Sequence, residues 1–318
     1  MKILLVGAAI VDQMMWIERL PFSGEDIPCS GVRTTTGGCA FNAASTLRNL
    51  KVPFDLCINV GTGMYADRVK EGLHQLGAQS VMPDLPEDNG YCLSLIEKSG
   101  ERTFITVTGA ENHFSAERLA AIPMDGYDMI YAAGYQLAGE CGDILTDWLE
   151  TSVGKQIILA PGPAILLIPK ERMQRLLSMH PIVHLNEKEV LDFYRMYRKT
   201  NVESAEAPTE ETEEVKTAAA FLAEMTNNTV IVTMGGDGTL FIENGKFYQV
   251  PSEKTVVKDT VGAGDSHIAG VMGCLARGYA LEDAVRMANR IAAQVVGTEG
   301  PTVSQKDFQE RFGGEGNE

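Results

Sequence analysis

Positive charge is scarce in this sequence. Lys and Arg number 27 against 43 Asp and Glu, a formal net charge of −16 at pH 7 over 318 residues. Duplex nucleic acid and anionic membrane surfaces both need a basic footprint, so neither is expected as a partner. An anionic small ligand is not excluded, because local amide dipoles and a metal outweigh a distant field. No C-x-x-C pair occurs among the six cysteines, which leaves a zinc site unsupported. Thiols spread this thinly fit a reducing compartment, and the expected location is cytoplasmic. No apolar run approaches the ~20 residues of a membrane span. The apolar start at Ile3 is cut by Asp12 with no cleavage region after it, so it reads as a strand rather than a leader. A G-x-x-x-x-G-K-[ST] loop is also missing, so a Walker-type nucleotide site has no support.

What remains is an ordinary globular composition, 44% hydrophobic and 22% charged, long enough to bury a large core. Lys2 to Val11 is an aliphatic run that reads as one central strand buried on both faces. Similar runs recur at Phe54–Val60, Met129–Ala132, Gln156–Leu159, Ile182–Leu185 and Thr229–Met234. Helix-like stretches lie between them at Ala40–Leu50, Ala66–Leu76, Gly142–Thr151, Lys170–Met179 and Val215–Met225. This alternation predicts a three-layer α/β/α fold around a mostly parallel sheet, as a single domain over residues 1–318.

Two segments break the pattern. Ile17 to Thr36 is rich in Pro, Gly and Thr, and Gly90 to Thr108 reads as a hairpin turning at Ser99-Gly100. Together, over about residues 13–36 and 90–110, they predict a small β-sheet lid beside a ligand crevice, with an edge hairpin of no special role as the alternative. Thr200 to Glu214 reads as an acidic solvated loop opening a helix, and Gly313 to Glu318 as a frayed end.

The strongest chemical signal is Asp259-Thr260-Val261-Gly262-Ala263-Gly264-Asp265 before an apolar helix. Small residues at a helix N-terminus leave amides free for an anion, and Asp265 at that rim suits a general base. A simple helix-capping Asp is the alternative. An earlier segment, Thr36-Gly37-Gly38-Cys39-Ala40-Phe41-Asn42, also leads glycines into a helix, and Asn42 offers a donor and an acceptor to a polyhydroxylated ligand. Asp12, read as following the first strand, sits where α/β sheets bind ligands. Glu189 in Asn186-x-x-Glu189 is a candidate for holding magnesium water ligands, or else a solvated helix charge. Tyr135 and Gln136, after the Met129–Ala132 strand, are further candidates for substrate contact. Gly61-Thr62-Gly63-Met64-Tyr65-Ala66 fits a dinucleotide fingerprint, but it does not open the first strand–helix unit and no partner acid follows.

Taken in order, Gly37-Gly38-x-x-x-Asn42 and Asp259-Thr260-x-Gly262-Ala263-Gly264-Asp265 resemble the two signatures of the ribokinase-like (PfkB) family of carbohydrate and nucleoside kinases. Asn186-x-x-Glu189 resembles that family's magnesium–phosphate motif, Thr233-x-Gly235-x-x-Gly238 its nucleotide turn, and Gly100-Glu101-Arg102-Thr103 its lid hairpin. The resemblance implies an ATP-dependent transferase acting on a substrate hydroxyl, with Asp265 as base and Gly262, Ala263 and Gly264 as anion hole. It further implies that Asp12, Gly37, Gly38 and Asn42 hold a sugar or nucleoside, and that Asn186, Thr233, Gly235, Gly238 and Asn289 serve the nucleotide. Glu189 would meet Mg²⁺ through water, Asp259 would match the ligand of a monovalent cation, usually K⁺, and pairing through the lid would give a homodimer. A non-catalytic sugar sensor of the same fold is the remaining alternative. The chain departs from the pattern at three places. No Asn stands shortly before Asp12, which makes ribose less favoured. His267 replaces an aromatic and reads as a packed helix residue. Ala160-Pro161-Gly162-Pro163 replaces an Asp-Pro pattern.

Overall fold

The computed structural model describes residues 1–198 and 211–313. The acidic segment read as a loop therefore lies mostly outside the described residues, as do residues 314–318. Eight strands form the main sheet: β1 (Ile3–Val6), β4 (Phe54–Cys57), β7 (Met129–Ala133), β8 (Gln156–Ala160), β9 (Ile182–Asn186), β10 (Val230–Thr233), β11 (Thr239–Glu243) and β12 (Lys246–Val250). Their order is β12-β11-β10-β9-β8-β7-β1-β4, parallel except for the pairs made by β11. A second sheet holds β2 (Ile10–Ile17), β3 (Gly31–Gly37), β5 (Tyr91–Glu97) and β6 (Arg102–Val107), ordered β3-β2-β5-β6.

Side chains alternate across the strands, so each face of the main sheet builds its own core. Ile3 and Leu5 pack toward α1 (Cys39–Asn49), α2 (Met64–Leu76), α9 (Ala263–Ala276), α10 (Leu281–Val296) and α11 (Gln305–Phe312). Leu4 and Val6 pack toward α3 (Ala116–Ala120), α5 (Gly142–Glu150), α6 (Lys170–Ser178), α7 (Glu187–Arg198) and α8 (Glu211–Thr226). The short α4 (Gly134–Ala138) follows β7 directly. Helix on both faces of a mostly parallel sheet is the architecture the alternating pattern predicts.

One strand differs from the sequence reading. Lys2 to Val11 is not continuous: β1 ends at Val6, and Ile10 begins β2 in the other sheet. Gly7 allows the break, since a Cβ there would stand 3.1 Å from the Cβ atoms of both Ala133 and Ala40. Asp12 accordingly does not cap the first strand. It lies inside β2, opposite Thr35 of β3 and Cys92 of β5.

Candidate active site

A cavity of about 710 Å³ opens along the carboxyl ends of the parallel strands, between them and the small sheet. Residues at or just beyond the ends of β7, β8, β9 and β10 border it, as the topology of open α/β sheets predicts. Its other wall comes from β2, β5 and β6, through Asp12, Cys92, Phe104 and Thr106.

Two helix N-termini meet in this cavity. At the first, Gly38 has φ 101°, and a Cβ there would lie 2.6 Å from the Ala8 carbonyl oxygen. Only glycine relieves both constraints, which is why β3 can turn so sharply into α1. A Cβ on Gly37 would reach 2.0 Å from Asp12 Oδ2, so that glycine clears the carboxylate's space. At the second terminus, Gly262 has φ 76° and abuts the Pro301 carbonyl before α9 begins. Gly262 and Gly264 border the cavity, and a Cβ on Gly264 would meet nothing within 4 Å. Ala263 turns its amide back onto the Thr260 carbonyl at 3.3 Å.

Across this junction Asn42 Nδ2 donates to Asp265 Oδ2 at 2.8 Å, joining residues 223 positions apart. Burial raises the Asp265 carboxyl above its ordinary value, against the Asn42 amide and the Cys39 thiol, which hydrogen-bond to the ionised form. Burial also pushes Asp12 up to about 7, with the charge of Asp265 adding to it. Burial, with the neighbouring Asp265 charge, keeps the Cys39 thiol protonated. Asn42 Oδ1 is buried and has no hydrogen-bond partner among the described residues. Cys39 is the contact that sequence reasoning missed. Its place directly after the glycine pair was the available signal, but a thiol donor to a carboxylate 226 positions away has no signature in one sequence.

The nucleotide-side residues divide. Asn186, Glu189 and Thr233 border the cavity. Asn186 and Glu189 form a reciprocal capping box: Glu189 N donates to Asn186 Oδ1 at 2.8 Å, and Asn186 N donates to Glu189 Oε2 at 3.0 Å. The functional and capping readings of Glu189 thus coincide in one carboxylate, whose pKa burial raises. Gly235 and Gly238 shape the β10–β11 turn, with Met234 N donating to the Gly238 carbonyl at 2.8 Å.

Two expected ligands are placed elsewhere. Asn289 lies behind the cavity rather than on it. Its Oδ1 accepts from Thr239 Oγ1 at 2.6 Å, and its Nδ2 donates to the Val250 and Pro251 carbonyls at 3.1 Å each. Every polar atom of that side chain is spent on holding α10 to β11 and β12. Asp259, expected to meet a monovalent cation, instead pairs with Arg102 Nη1 at 2.8 Å. Its carboxylate also accepts from Val261 N at 3.0 Å and Gly300 N at 3.2 Å. Burial opposes its ionisation, but these three donors outweigh burial and hold its pKa below the ordinary value.

His267 is a packed helix residue, its Nδ1 3.0 Å from His184 Nε2, and burial lowers its pKa to about 4. Tyr135 and Gln136 both border the cavity. So does the Ala160–Pro163 segment, which brings no carboxylate there. Among the described residues no cluster of three or more His, Cys, Asp or Glu is arranged for a metal. Glu189 borders the cavity as a single carboxylate, which suits a hydrated magnesium ion rather than a protein cage.

An aspartate in the first turn of a helix, beside a cavity at the carboxyl ends of a mostly parallel α/β/α sheet, is the arrangement this fold builds. The pfkB family carbohydrate kinase model matches residues 1–307, and the chain belongs to that family. It is 33% identical to a protein described as the uncharacterized sugar kinase YegV of Escherichia coli (strain K12), over 94% of this chain and 89% of that one. The structure of Arabidopsis thaliana ribokinase complexed with ribose and ATP superposes with a TM-score of 0.78 at 22% identity, covering 97% of each chain. Burkholderia thailandensis nucleoside kinase in complex with inosine gives a TM-score of 0.78 at 16% identity, covering 100% of this chain and 99% of that one.

Proposed function

We propose that this enzyme transfers the γ-phosphoryl group of ATP to a hydroxyl of an uncharged sugar or nucleoside, with Asp265 as general base. The observation that carries the reading is the 2.8 Å contact between Asn42 and Asp265, which joins the acceptor motif to the anion-binding turn. Relatives described as ribokinase and nucleoside kinase agree with it.

The acceptor lies against Asp12, Asn42 and the small sheet. Among the described residues nothing donates a hydrogen bond to the Asp12 carboxylate, and burial disfavours its charge. A vicinal diol supplies donors that favour the ionised form. The unpartnered Asn42 Oδ1 lacks a donor that a substrate hydroxyl provides. Half-exposed Phe104 and Tyr135 offer apolar ring surface to a sugar face or nucleobase. No Lys or Arg borders the cavity among the described residues, so a sugar phosphate or sugar acid would meet Asp12 with no compensating cation.

In the reaction Asp265 takes the acceptor proton as the acceptor oxygen bonds to the γ-phosphorus and the bridging P–O bond breaks to release ADP. The Gly262–Gly264 turn and the positive end of α9 face the charge on the transferring group. Glu189 would hold the water shell of a magnesium ion, which when bound would neutralise phosphate charge. The small sheet, acting as a lid, excludes water from the transfer. The test is an ADP-release screen across neutral sugars, nucleosides, sugar acids and sugar phosphates. Turnover of neutral acceptors is expected. Thermal stabilisation by a sugar with no ADP from any acceptor would make the protein a sensor instead.

A further inference from the structure

Asp259 stands two residues before the Val261 amide that it holds, at the entry to the turn that precedes Asp265. It is 7% exposed, and a buried carboxylate needs a compensating positive charge. The charge present is the guanidinium of Arg102, from the first residue of β6 in the small sheet, 157 positions away. Oδ1 already accepts from Arg102 and Val261, and Oδ2 from Gly300, so a monovalent cation would be left a single lone pair of this carboxylate and would face a fixed like charge. Asp259 therefore does not fit the monovalent-cation role that its motif implies.

We infer that Arg102 replaces the monovalent cation at Asp259, so that docking of the small sheet, and not ion binding, sets the anion-binding turn. A second arginine of that sheet lies on the same loop. Arg33 of β3 places Nη1 3.6 Å from Glu299 Oε2, beside Gly300. The small sheet thus meets the 299–300 loop and Asp259 from two of its four strands. The chemistry is economical: the carboxylate that orients Val261 and Gly300 is neutralised only while β6 is seated. The anion-binding turn is complete when the acceptor side of the cavity is covered. Arg102 is a positioning residue in this scheme, because it acts through Asp259 and borders neither motif's reacting atoms.

The test has an arm that needs no catalysis. Melting temperature is measured in potassium, sodium and choline chloride at equal ionic strength, and wild-type protein is expected to melt alike in all three. The kinetic arm rests on the proposed phosphotransfer. There, wild-type kcat is expected to agree within about twofold among the three salts. Arg102→Ala is expected to lower kcat at least about tenfold, with Arg102→Lys recovering most of it. In a double-variant cycle, R102A with D259N is expected to lose no more than the worse single change, within about threefold. A potassium-specific rise in wild-type melting temperature or kcat would overturn the inference. So would full additivity of the two substitutions, or an Arg102→Ala enzyme with normal kcat. If no acceptor yields ADP, the kinase reading fails while the melting series still decides the cation question.

Discussion

Asp265 and Asp12 share one cavity but are asked for different protonation behaviour. In the proposed transfer Asp265 would act as a carboxylate, and its two donors, the Asn42 amide and the Cys39 thiol, lean against the burial that would neutralise it. Asp265→Asn keeps the size and the contact with Asn42 but removes the base. We expect kcat to fall at least ~10² while ATP affinity by calorimetry stays nearly unchanged. For Asp12 the folded-state value of about 7 lies above the ordinary 3.8. Between those values the folded protein binds more protons than the unfolded chain, so this residue's contribution to stability falls as pH rises. Asp12→Asn should therefore melt progressively higher than wild type as pH is raised from about 5 to 8, and close to wild type at the acid end. Acceptor KM of the wild type should fall over the same rise, because the ionised form accepts from substrate hydroxyls. A melting difference independent of pH would remove Asp12 from this account. These assignments were partly open to a reading of residues alone. Both motifs stand out in one sequence as glycines before a helix, but the partner of each side chain depends on tertiary placement. Asn289 and Asp259 show the limit: a polar residue in the right motif is absorbed by Thr239 in one case and Arg102 in the other.

Elements carry the next level of the argument, because two glycines at α9 are needed for opposite reasons. Gly262 has a left-handed backbone and would strike Pro301 if it carried a Cβ. Gly262→Ala should cost stability, by about 1–3 kcal/mol, read as a lower urea midpoint. Gly264 lies inside the first turn of α9, and open space surrounds its missing Cβ. Gly264→Ala should hold or raise the urea midpoint, since alanine favours the helix by up to about 1 kcal/mol. On the proposed mechanism it should nevertheless raise KM for ATP, because the added methyl would enter the space proposed for the phosphates. An unchanged KM for ATP would place the phosphates away from this turn. Element boundaries follow the same logic. Helices and central strands were legible from period and aliphatic runs, as at Gln156–Leu159 and Lys170–Met179. The break at Gly7 was not, because Ile10 and Val11 are as apolar as the strand they leave. Nothing local shows that the chain changes sheets there; only the pairing of β2 with β3 and β5 does.

At the scale of the whole molecule, the small sheet poses a question of cover. One face turns Asp12, Cys92 and Thr106 to the cavity, and register puts Val32, Ile105 and Val107 together on the other. Helix α2 covers only part of that outer face, where Tyr65 stacks on Tyr91 at 4.4 Å. Val32 remains 61% exposed, Ile105 51% and Val107 43%. A four-stranded sheet with one apolar face in water is weakly supported, and β3 and β6 are both edge strands. We propose that a second copy of the chain covers it, as the family resemblance implies. The contact is apolar, so it should survive high salt, which also screens repulsion between two chains of net charge −16. Light scattering during gel filtration should then give twice the chain mass. Ile105→Lys combined with Val32→Glu should give the single-chain mass with far-ultraviolet circular dichroism unchanged, because both side chains point to solvent. Since the same sheet carries Arg102 and Thr106, the monomer should hold its acceptor side less firmly and show a higher acceptor KM with little change in KM for ATP. A wild-type chain that elutes as a monomer at micromolar concentration would leave that face as plain surface, and the lid would have to hold its shape through β2 and α2 alone.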